Sequence, residues 1–91
     1  MKHQRHFEYG SRSREALQTR SLIVDIDRVV QIIESEIASE EEQAGVFNRS
    51  QAEYPMPARA LAARRDNLRD TITALEQRLA NLAVTAVPEP A

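Results

Sequence analysis

The chain contains no cysteine and no tryptophan, and only two of its 91 residues are glycine. Without cysteine there is no disulfide framework, no thiolate nucleophile and no cysteine-ligated zinc, and a reducing cytoplasm is the expected setting. Two glycines cannot build a phosphate-cradling loop, and no GxGxxG, HExxH or nucleophile elbow occurs. The two Phe and two Tyr are the whole aromatic complement, and turn formers are sparse. That composition argues against a many-stranded fold, which needs frequent turns. Nowhere do eighteen apolar residues run together, so neither a membrane span nor a secretory signal is expected. An all-α chain is the reading that remains.

Charge is nearly balanced overall but unevenly placed. Residues 1–20 hold five basic and two acidic groups, 21–56 hold two basic and eight acidic, and 57–91 hold five basic and four acidic. An acidic middle disfavours nucleic-acid binding, because phosphate neutralisation needs a basic face. The N-terminal arm, with Arg12, Arg14 and Arg20 after Phe7 and Tyr9, is the one place where a small nucleic-acid-binding function could sit.

The apolar residues Ile23, Ile26, Val30, Ile33 and Ile37 recur at alternating steps of three and four, and Ala44 ends the same series. This is the spacing of a heptad seam. Gly45 follows, where a helix commonly stops in a left-handed conformation. Tyr54-Pro55-Met56-Pro57 suits a restart, since proline is harmless in a first turn. Ser50 and Glu53 have the spacing of a capping box. A second seam then runs through Leu61, Leu68, Ile72, Leu75, Leu79 and Leu82. Written in reverse beside the first, it pairs 44 with 61, 37 with 68, 33 with 72, 30 with 75, 26 with 79 and 23 with 82. Every pair of numbers adds to 105, the constant that an antiparallel hairpin requires.

The expected architecture is an antiparallel two-helix coiled-coil hairpin. Helix 1 spans about 15–44, a loop 45–56 and helix 2 about 57–83, between a flexible basic arm (1–14) and a disordered tail (84–91). The same register sets Glu40 opposite Arg65, the only charged seam residues, and predicts an interhelical ion pair. Arg59, Arg64 and Arg65 are also expected to offset the acidic run Glu40-Glu41-Glu42 at the end of helix 1, where the helix dipole disfavours negative charge. Leu22, Val24, Val29 and Ile32 lie off the seam and form a candidate partner surface. A homodimer closing into a four-helix bundle would cover it most simply.

No constellation points to catalysis. Asp25 and Asp27 sit two apart and point in different directions on a helix. His3 and His6 are three apart and would share a face if that stretch were helical, but no third ligand has a matching position and a flexible polar arm is the expected state, so no metal or other cofactor is expected. The chain reads as nonenzymatic, with no small-molecule substrate.

Glu36-Ile37, Glu40-Glu41-Glu42-Gln43-Ala44-Gly45, Tyr54-Pro55 and Arg64-Arg65-Asp66-Asn67-Leu68 occur in that order. In these stretches the chain resembles the central part of FliJ-type flagellar export proteins, particularly those of alphaproteobacteria, over about two thirds of its length. The resemblance implies an antiparallel coiled coil of the flagellar type III export apparatus, in the cytoplasm. It further implies docking onto the export ATPase, the export gate or export chaperones. Family members usually continue both helices further. A structural homo-oligomerisation module unrelated to flagella is the other reading of the same hairpin.

Overall fold

The computed structural model describes the backbone of residues 2–86 and the side chains of residues 11–83. Two helices make up the fold, α1 (Lys2–Ala44) and α2 (Met56–Ala86). They pack antiparallel as a hairpin in a rod 65 Å long and 19 by 15 Å across. The all-α helical hairpin expected from the heptads is therefore the fold. No helix among the described residues is long and apolar enough to cross a membrane.

Both helix ends at the turn have a local cause. The Gly45 amide donates to the Glu41 and Glu42 carbonyls at 2.8 and 3.3 Å with φ at +70°, the left-handed stop that glycine adopts without strain. In the connection, Asn48 Oδ1 accepts from the amide and hydroxyl of Ser50, at 3.0 and 2.7 Å, so an Asx turn replaces the expected Ser50–Glu53 capping box. The Pro55 carbonyl accepts the first helical bond, from the Arg59 amide, and Pro57 occupies the first turn, where its missing donor costs nothing.

Helix α1 starts at Lys2, so residues 2–14 of the segment expected as a flexible arm over 1–14 are a continuation of the helix. No proline breaks it, and its one glycine is tolerated in a helix at a cost of about 1 kcal/mol. At the other terminus α2 runs to Ala86, past the expected boundary at 83, and residues 87–91 of the expected tail lie outside the described set.

The core is deepest beside the turn. Ile33, Ile37, Tyr54, Ala58 and Ala62 form one buried cluster, with Val46, Leu61 and Leu68 packed against it. Val30 and Thr19 are also buried on α1. Ile23, Ile26, Leu61, Leu68, Ile72, Leu75, Leu79 and Leu82 are half-buried, as a two-helix seam with two open edges requires. Ala44 is exposed and does not join the seam. The chain turns away at Gly45, and Tyr54 returns to the core that Ala44 was expected to extend.

The seam residues are those the sequence marks, but the two helices meet one heptad away from the expected register. Arg69 donates to Glu34 on one flank, and Arg78 to Glu15 on the other. The residue numbers of these pairs add to 103 and 93, equally spaced about 98 and not about 105. A total of 98 sets Ile23 level with Leu75, Ile26 with Ile72, Val30 with Leu68, Ile33 with Arg65 and Ile37 with Leu61. The physical reason lies at the turn. Counting to 105 would place Ala58 level with residue 47, beyond the end of α1, whereas the observed register buries Ala58 and Ala62 with Ile33 and Ile37. Burial contributes about 0.8 kcal/mol per methylene-sized group, so two buried alanines packed on Ile33 and Ile37 outweigh a surface ion pair of about 0–1 kcal/mol.

Candidate protein interface

The register decides what each charged seam residue meets. Glu40 lies level with Ala58, and Arg65 lies level with Ile33, so the expected Glu40–Arg65 ion pair does not form. Arg65, with only 11% of its side chain exposed, donates through Nε and Nη2 to Asp66 Oδ1 at 3.2 and 3.1 Å. Its aliphatic stem stays on the seam while the guanidinium reaches the edge.

One carboxylate at the acidic end of α1 is hydrogen-bonded by a group that heptad counting passes over. Tyr54 Oη donates to Glu41 Oε2 at 2.8 Å, and the ring is buried at 2% exposure. Burial pushes the Tyr54 phenol above its ordinary value, and the hydrogen bond to Glu41 and that carboxylate's charge push the same way; Arg49 opposes them. Arg59 sits over the Tyr54 ring, 5.2 Å from its centroid, and donates to the Gln51 carbonyl at 2.8 Å. Among the described residues no ion pair joins Glu40, Glu41 or Glu42 to Arg59, Arg64 or Arg65. The arginine closest to the task acts through an aromatic ring and a loop carbonyl.

All four residues of the candidate partner surface are exposed: Leu22 at 47%, Val24 at 55%, Val29 at 39% and Ile32 at 54%. They do not form one patch. On a helix of 3.6 residues per turn Leu22, Val29 and Ile32 fall within about 80° of one another, whereas Val24 lies on the far side with Leu17, itself 62% exposed. The first group borders the flank that carries the Glu15–Arg78 pair. The second continues into an open groove of about 360 Å³ where Leu17, Ala16, Leu79 and Leu82 provide apolar walls beside Arg12 and Arg20. Exposed apolar side chains gathered on two faces of one helix are what partner surfaces are made of.

Two features were hidden from the sequence reading. Thr19 occupies a seam position and is buried because its hydroxyl donates to the Glu15 carbonyl at 2.8 Å, which lets a polar residue serve an apolar place. Ala58 and Ala62 were missed because alanine carries little periodic signal. His3 and His6 belong to residues 1–10, whose side chains lie outside the described set, and among the described residues no group of three or more His, Cys, Asp or Glu could hold a metal.

The hairpin thus defines a class, a short helical rod with two apolar flanks. Compared with known proteins, the chain matches no family model, no curated protein and no solved structure.

Proposed function

We propose that this chain is a nonenzymatic docking protein of the flagellar type III export apparatus, resembling FliJ, that works in the cytoplasm by presenting the flanks of a helical hairpin to the export ATPase, the export gate or an export chaperone. The observation that supports it most is the apolar flank of Leu17 and Val24, which leads into the Arg12 and Arg20 groove at the open end of the rod. Apolar anchors beside arginines suit an amphipathic partner segment with acidic flanks, and both residue types favour interfaces. The motifs running from Glu36 through Leu68 supply the flagellar part of the reading.

The test uses the purified chain and separately purified export ATPase, gate cytoplasmic domain and chaperones, read by calorimetry at physiological salt. One of the three is expected to bind with a Kd in the range of about 1–100 μM, and Leu17→Asp with Val24→Asp to abolish binding while leaving the hairpin folded. No binding to any of them, or binding indifferent to that double change, overturns the proposal.

A further inference from the structure

The flank of α1 opposite Val24 is complementary to itself. Leu22, Asp25, Val29 and Ile32 repeat the alternating steps of three and four, a second seam beside the one that holds the hairpin. Leu22, Val29 and Ile32 are exposed, as are Asp25 and Arg28. Among the described residues neither Asp25 nor Arg28 makes an ion pair or a hydrogen bond. The second seam therefore has apolar anchors and two uncommitted charges of opposite sign.

We infer that this flank binds a second copy of the same chain, α1 against α1, antiparallel about a two-fold axis near residue 27. A closed dimer of this kind uses one patch twice, so each contact recurs by symmetry. With the axis there, facing residue numbers add to 54. Leu22 meets Ile32 of the second copy, Val29 lies beside its Asp25, and Asp25 reaches its Arg28. The charges choose the orientation: a parallel alignment would set Asp25 against Asp25, while the antiparallel one sets each Asp25 beside an Arg28. Small residues let the neighbouring helices approach. On the same flank α2 presents Thr71 and Ala74, both exposed, level with the middle of the stripe. A standard interface uses roughly 20 residues a side, which the flank of both helices can supply. This inference is independent of the flagellar reading, because it concerns a different face and needs no other protein.

The lack of cysteine makes the register directly testable. The chain carrying both Leu22→Cys and Ile32→Cys is expected to form a covalent dimer on mild oxidation, whereas either single change is not. Equivalent positions 22 and 22 would stand about 15 Å apart along the axis, and so would positions 22 and 32 within one helix. Light scattering of the natural chain should show a mass that doubles over about 1 μM to 1 mM. Asp25→Arg and Arg28→Asp should each weaken the dimer by about tenfold, since symmetry applies each change twice, and together they should restore it. Ile32→Asp should stay monomeric with its helical circular dichroism intact. A monomer throughout the range, single-cysteine variants that cross-link as readily as the double one, or charge reversals that do not compensate would each overturn the inference.

Discussion

Tyr54 and Gly45 carry more of this fold than their neighbours do. Tyr54 joins three things in one side chain: a ring in the buried cluster, a hydroxyl bonded to Glu41, and a face for the Arg59 guanidinium. Only its protonated form donates to Glu41, and its folded pKa lies above the ordinary value of about 10. The stability this bond contributes is therefore complete below about pH 10 and lost as pH rises through the folded value. Melting curves between pH 8 and 11 are expected to fall more steeply for the natural chain than for Tyr54→Phe, which should already be less stable at pH 8. Equal slopes would remove the Tyr54–Glu41 bond from the account. Gly45 holds φ at +70° with open space where a Cβ would stand, so Gly45→Ala costs conformational strain alone. A loss of about 1 kcal/mol in urea unfolding is expected, with no change in the cluster.

At the scale of the two helices, the sequence shows which residues form the seam but not how far one helix has slid along the other. A heptad spacing is unchanged when shifted by seven, so the spacing of Ile23 through Ile37 and of Leu61 through Leu82 fits two registers, although the observed one sets Ile33 level with Arg65. The choice is made outside the repeat. Ala58 and Ala62 are too small to register as seam residues, Tyr54 stands in a loop, and the flank pairs Glu34–Arg69 and Glu15–Arg78 become visible only once the helices are side by side. The helix boundary at Gly45 and the restart near Pro55 were legible because glycine and proline act through their own backbone. The long N-terminal stretch of α1 was not, because a polar segment carries no periodicity. The register yields a direct check. Ile26→Cys with Ile72→Cys should close an intramolecular disulfide, while Ile26→Cys with Leu79→Cys should not, being displaced by about 10 Å along the axis. The opposite result would restore the register in which the numbers add to 105.

For the molecule as a whole, a rod only two helices thick has a core open on both edges, and most of its seam is half-buried. Covering one edge with a second copy adds burial that a lone hairpin lacks, and mass action then ties stability to concentration. The melting temperature of the natural chain is expected to rise by several degrees per hundredfold increase in concentration, and that of Ile32→Asp to stay constant. Coincident behaviour of the two would mean that the Leu22–Val29–Ile32 flank stays uncovered. Because Leu17 and Val24 lie on the other side of α1, such pairing leaves the groove beside Arg12 and Arg20 free for a different protein. One helix would then serve two clients without competition between them.

Burial concentrated beside Tyr54, with Thr19 as a single buried residue near the open end among the described residues, should give the hairpin the mechanics of tweezers. The pivot, held by Ile33, Ile37, Ala58 and Ala62, should be its least yielding part, and the tips its most compliant. Amide hydrogens should therefore exchange fastest at the tips, and a wedge entering there can spread the arms while the pivot stays closed.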